Sequence, residues 1–213
     1  MVTNETTALK VAELLLQIKA IVLQPDNPFT WASGWNSPIY CDNRKTLSFP
    51  QIRTYLRQEL VTAISDNFGT PDVIAGVATG GIAQGALVAQ QLGVPFVYVR
   101  SSPKGHGLTN LIEGVLNPEQ SVVVIEDLIS TGGSSLKAVD AIREVGSKVL
   151  GMASIFSYDF EIAKQNFKKS KCDLTTLSDY NYLIKNAVES GYIDADCLTS
   201  LQEWRESPQE WKK

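Results

Sequence analysis

Hydrophobic and polar positions along this chain fall into blocks whose period switches between helical and extended. From Ala8 to Leu23, the apolar residues Leu9, Ala12, Leu15, Leu16, Val22 and Leu23 recur at helical spacing. This predicts an amphipathic helix, ended by Pro25 and Pro28. Phe29–Asn43 is aromatic and turn-rich, with Ser33-Gly34 and Ser37-Pro38, and reads as short strands and turns. Pro50 suits the first turn of a second helix running to about Phe68. Val73–Val77 is a short apolar run that ends at Thr79-Gly80-Gly81, and Ile82–Leu92 is helical in pattern. Pro95–Arg100 is strand-like, Ser101–Asn110 is polar and glycine-punctuated, and Leu111–Leu116 reads as a strand. Val122–Ile125 is an unbroken apolar run of the type buried on both faces of a sheet. Glu126–Gly133 follows, then a helix to about Val145 and a further apolar run at Val149–Phe156. Beyond Asp173, helices are expected over Tyr180–Ser190 and Asp194–Glu206, with the polar tail Trp204–Lys213 expected to fray.

Strands alternating with helices imply right-handed crossovers and a mostly parallel sheet, so the fold class is α/β. Ligands of such sheets bind at the carboxyl ends of the strands. Three segments leave those ends: Thr79–Gly81, Ser101–Asn110 and Glu126–Ser134. With no repeat, linker or long run of like charge, the 213 residues read as one domain with helical additions.

Composition narrows the class further. The net charge of −4 argues against a nucleic-acid binder, and 44% hydrophobic residues exclude a disordered chain. The N-terminus lacks the order of a secretory signal, and Val11–Leu23 is short and interrupted by Glu13, Gln17 and Lys19. No membrane association is therefore expected. Cys41, Cys172 and Cys197 are scattered, with no CxxC pair, which predicts reduced thiols and a cytoplasmic protein.

The most informative stretch runs from Val122 to Ser135. An apolar strand leads into Glu126-Asp127, then Leu128-Ile129, the small-residue turn Ser130-Thr131-Gly132-Gly133-Ser134, and a helix. Such a turn presents backbone N–H groups at a helix N-terminus, where the dipole favours an anion. No GK[ST] follows, so it is not a Walker A loop. Two carboxylates beside a bound phosphate must face hydroxyls or a cation, and the vicinal hydroxyls of a ribose 5′-phosphate satisfy that requirement.

This segment resembles the phosphoribosyl pyrophosphate (PRPP) motif of type I phosphoribosyltransferases. The resemblance implies that Glu126 and Asp127 bind ribose hydroxyls while Leu128, Ile129, Ser130, Thr131, Gly132, Gly133 and Ser134 form the 5′-phosphate loop. Thr79-Gly80-Gly81 resembles the short pyrophosphate loop of the same proteins, which assigns Thr79 and Gly80 to PRPP.

Arg100-Ser101-Ser102-Pro103-Lys104-Gly105-His106-Gly107 concentrates cationic groups, including the only histidine, in a glycine-flanked loop. With Leu111-Ile112-Glu113-Gly114, it is similar to the catalytic loop of the orotate phosphoribosyltransferase family, although Ser101 replaces a second basic residue common there. In that reading Arg100, Lys104 and His106 contact the pyrophosphate of PRPP. Lys104 and His106 then stabilise the leaving group when this mobile loop closes.

Phe29–Arg44 resembles the hood of that family, with Ala32 where several members place a lysine. Arg44 would then meet the orotate carboxylate, with Ser130 also against the base; a fork-shaped guanidinium suits a carboxylate. The implied architecture is a type I phosphoribosyltransferase-like domain over 1–213. Its hood covers about 1–45, its core about 50–158 and its C-terminal helices about 173–206.

The resemblance further implies Mg²⁺ held mainly by PRPP, with Asp127 in its outer sphere, and a homodimer sharing loop residues across the interface. A fused decarboxylase barrel of about 250 residues would not fit, so a monofunctional enzyme is expected. A purine phosphoribosyltransferase would share the acid pair but not this hood or loop, and a PRPP-sensing regulator would normally carry a DNA-binding domain or basic surface.

Overall fold

The computed structural model describes residues 2, 4–31, 34–102 and 111–212. Its centre is a six-stranded sheet built from β5 (Val73–Val77), β6 (Phe96–Val99), β7 (Ile112–Glu113), β8 (Ser121–Ile129), β9 (Lys148–Ser157) and β10 (Leu174–Asp179). The order is β10-β9-β8-β5-β6-β7, with every pairing parallel except β6 with β7. Ahead of the sheet come α1 (Glu5–Gln17), β1 (Ile21–Leu23), β2 (Phe29–Thr30), β3 (Asn36–Ser37), β4 (Ile39–Cys41) and α2 (Pro50–Phe68). The crossover helices are α3 (Gly80–Leu92), α4 (Gly133–Glu144) and α5 (Glu161–Lys169), and the chain closes with α6 (Tyr180–Glu189) and α7 (Leu198–Glu206).

The alternation of β8 explains its burial on both faces. Val123 and Ile125 join one apolar cluster with α1, α2, α6 and α7, while Val122 and Val124 join a second with α4 and α5. The expected α/β architecture with a mostly parallel sheet is therefore the one observed.

Four local expectations are corrected. The helix predicted over Ala8–Leu23 ends at Gln17, because Lys19 adopts a left-handed backbone (φ 53°). Ile21–Leu23 instead pairs antiparallel with Ile39–Cys41. The acids Glu126 and Asp127 lie within β8 rather than after it. A strand, β10, and a helix, α5, occupy the region between the last predicted strand and the C-terminal helices. The tail does not fray: Trp204 is fully buried and Trp211 nearly so.

Candidate active site

Strand register brings distant residues together at the carboxyl edge of the sheet. Gly76 is paired with Ile125 across β5 and β8, so the turn after β5 lies beside the acids near the end of β8. The contact is close. A Cβ built on Gly81 would meet the Ile125 carbonyl oxygen at 2.3 Å, and one on Gly80 would meet Asp127 Cγ at 2.2 Å. Only glycine lets this turn seat against the strand. The Ala78–Thr79 peptide is cis.

The resulting cleft, of about 390 Å³, is lined by Val77, Ala78, Thr79, Gly80, Glu126, Asp127, Leu128 and Ser134, with Cys41, Asp42 and Arg44 closing one side. α3 and α4 both open onto it, and neither has a side-chain cap hydrogen bond at its N-terminus. The first-turn N–H groups of a helix have no partner within the helix, so these two ends suit anionic oxygens.

The two acids have different environments. Glu126 is buried, and its oxygens accept hydrogen bonds from the Ser135 hydroxyl (2.9 Å) and the Asp127 N–H (3.0 Å). Burial first, and the adjacent Asp127 carboxylate second, push its pKa up to about 8. Asp127 is half-buried, with its backbone carbonyl held by the Asn43 side-chain amide at 2.6 Å. It is the more exposed member of the pair, backed by a less ionised neighbour.

In the Ser130–Ser134 turn, Gly132 has φ 80°, and a Cβ there would strike the Phe167 ring at 2.7 Å. The Asn166 amide donates to the Thr131 carbonyl (2.9 Å), so α5 buttresses the loop. Gly133 and Ser134 are exposed at the start of α4, whereas the Ile129 side chain is fully buried in the core.

Next to this cleft, and sharing Cys41 and Leu128 with it, is a second cavity of about 540 Å³ lined by Phe29, Thr30, Trp31, Tyr40, Ser130 and Tyr158. Its aromatic walls suit a flat ring. Of the two residues the sequence assigned to the base, Ser130 lines this cavity. Arg44 instead lines the cleft of the acids and is ion-paired with Asp42 at 2.7 Å. Arg100 closes β6, with its guanidinium 3.4 Å from Glu113 on β7. Lys104, His106 and Ala32 lie outside the described residues.

Sequence reasoning missed Asn43 and Tyr158, whose partners are remote in the chain. For Ser135, its place in the hydroxyl-rich turn was the available signal. Cys41 carries no nucleophile chemistry here: burial pushes its thiol well above the usual range, and Asp127 and Asp42 push it further.

A mostly parallel sheet with two turns suited to anions, an acid pair and an adjoining ring-sized cavity defines a protein that handles a phosphorylated sugar beside a flat partner. The phosphoribosyl transferase domain family matches residues 52–189. The orotate phosphoribosyltransferase of Porphyromonas gingivalis is 61% identical over 201 residues, covering 94% of this chain and 96% of that one. Among solved structures, orotate phosphoribosyltransferase from Aeropyrum pernix superposes with TM-score 0.75 at 25% identity, covering 86% of this chain and 99% of that one. The UMP synthase of Leishmania donovani matches with TM-score 0.77 at 23% identity, covering 92% of this chain but 42% of that longer one. The chain belongs to the phosphoribosyl transferase family and, within it, to the orotate phosphoribosyltransferases.

Proposed function

We propose that this chain transfers the phosphoribosyl group of PRPP to orotate, giving orotidine 5′-monophosphate and diphosphate, a step of pyrimidine nucleotide biosynthesis. The observation that carries this reading is the packing of Asp127 against Gly80. It joins acid pair, phosphate loop and Thr79–Gly81 turn in one cleft, with the aromatic cavity alongside.

In this reading the amides of Ser130–Ser134 hold the 5′-phosphate, and Asp127 accepts hydrogen bonds from the ribose hydroxyls. The amides of Thr79–Gly81 face the diphosphate, and the base lies between the aromatic walls near Ser130. A ring nitrogen of orotate gives up its proton and bonds to the anomeric carbon as the bond to the diphosphate oxygen breaks, with the electron pair leaving on diphosphate and the proton passing to a diphosphate oxygen or to water. The transition state is loose and oxocarbenium-like. Lys104 and His106, with Arg100, meet the charge that develops on the leaving group. Held in place by the two turns, the reactants need no covalent enzyme nucleophile.

A divalent cation fits this site as a companion of the substrate. Among the described residues, no three His, Cys, Asp or Glu side chains are grouped to hold a metal ion. The half-buried Asp127 carboxylate suits an outer-sphere contact to Mg²⁺ held chiefly by PRPP oxygens. Bound there, the ion supplies neutralisation of diphosphate charge. We further assign a homodimer in which loop residues of one subunit serve its partner's site. A cytoplasmic location accords with the absence, among the described residues, of any helix long and apolar enough to cross a membrane.

Product analysis tests this reading. Incubation with PRPP, Mg²⁺ and orotate should yield orotidine 5′-monophosphate and diphosphate in equal amounts by anion-exchange chromatography. A purine nucleotide formed instead would overturn the acceptor, and PRPP binding without transfer to any base would make the protein a sensor.

A further inference from the structure

The wall of the acceptor cavity raises a problem of stability. Phe29 and Thr30 belong to a hairpin, β2–β3, that has only two residue pairs, Phe29 with Ser37 and Thr30 with Asn36. Two short strands do not hold a geometry alone in water. Whatever fixes Phe29 and Trp31 against the base must therefore come from outside the hairpin.

Phe29 packs on the Tyr40 ring (5.7 Å between centroids) and the Trp31 indole N–H donates to the Ile39 carbonyl (3.3 Å), and the C-terminal segment supplies the remaining contacts. Trp204 on α7 is fully buried, and its indole N–H donates to the Asn36 carbonyl at 3.2 Å. Its ring meets Trp31 edge-on (5.6 Å between centroids, 87°) and Tyr158 likewise (5.8 Å, 87°); both line the acceptor cavity. The Asn36 side-chain amide donates to the Lys212 carbonyl. The Lys212 ammonium donates to the Pro25 carbonyl at 2.6 Å, on the segment leading into β2. Trp211 N–H to Ser200 Oγ (3.1 Å) ties the tail back onto α7, and Tyr180 O–H to the Leu201 carbonyl (3.1 Å) ties α7 to α6. The hairpin is thus gripped at its approach, at its return strand and at Trp31. These contacts end on the hairpin and Tyr158, on the acceptor side of Leu128.

We propose that 198–212 is a strap that positions the acceptor cavity, with Trp204 as its positioning residue. It acts on the base through Trp31 and Tyr158 and leaves the PRPP cleft untouched. This rests on the transferase reading above and adds to it a specific dependence: affinity for the flat acceptor is set by a segment that touches neither substrate.

The test is steady-state kinetics with orotate and PRPP varied in turn. Trp204→Phe keeps a ring in the core and removes the N–H donor; Asn36→Ala removes the amide that reaches Lys212. Lys212→Met is the companion variant whose change lies at an exposed position and spares the core. Each is expected to raise the orotate KM, by about five-fold for the first two, the size of one lost neutral hydrogen bond. The PRPP KM should stay within about two-fold, and Lys212→Met should melt as the wild type does. An equal rise in both KM values, or an unchanged orotate KM in the folded variants, overturns the strap. A wild-type protein that does not use orotate at all overturns the acceptor reading instead, before any variant is made.

Discussion

Gly80 and the carboxyl group of Asp127 occupy adjoining space so tightly that a Cβ at position 80 would lie 2.2 Å from Asp127 Cγ. One residue opens α3 and the other lies near the end of β8, so the contact joins the turn proposed for diphosphate to the acid proposed for the ribose. The backbone at Gly80 does not require glycine by sign of φ; the requirement is space. Gly80→Ala should therefore swing the carboxylate aside without unfolding the protein. The expected loss in kcat/KM for PRPP is on the order of 100-fold, as for a reacting group displaced by about an ångström. Kinetics alongside a thermal melt check this: unchanged kinetics, or a collapse in stability that accounts for the loss, would contradict it.

Glu126 makes a prediction about pH. Its carboxyl is held up to about 8 in the folded protein, against 4.5 for the free group, mainly by burial and then by Asp127. Between those values the folded state binds more protons than the unfolded state. Stability from this group is therefore fullest at the acid end of the window and is lost as pH rises through it. Denaturant midpoints of wild type and Glu126→Gln at both ends of the window test the sign. The wild type should lose more stability across it than the variant, whose amide does not titrate. Parallel profiles would show that Glu126 ionises normally.

The leaving-group role given to Lys104 is separable from folding. Lys104→Ala should lower kcat by about 100-fold or more, the range for loss of a group acting on developing charge. The melting temperature should not move, because the change falls in a polar, glycine-punctuated stretch of the sequence and removes no apolar side chain. Retention of full kcat would remove Lys104 from the chemistry.

Parts of this molecule were legible in the sequence because the signal was local. The strands at Val73–Val77 and Val122–Ile125 announced themselves as apolar runs, and the acids and glycines of Glu126–Ser134 form one contiguous stretch. What was hidden depended on distance. Leu174–Asp179 carries Thr and Ser at buried positions, so its place at the sheet edge shows only when Leu174 pairs with Met152. Ile21–Leu23 continued a helical period that Lys19 breaks, and its partner strand begins at Ile39. Asn43 reaches Asp127 across 84 residues, and the polar tail is anchored by Trp204 and Trp211 meeting groups far upstream and on α7. No periodicity encodes such pairings.

The measurement that tests the account most directly is the ultraviolet absorbance of orotate mixed with the protein, PRPP and Mg²⁺, run in parallel with Asp127→Asn. The account predicts loss of the orotate signal only when every component is present. It also predicts a rate lowered by at least about 100-fold in the folded variant, whose amide no longer offers a carboxylate to the ribose hydroxyls. Orotate consumption unaffected by Asp127→Asn, or consumption of a purine base in place of orotate, would contradict it.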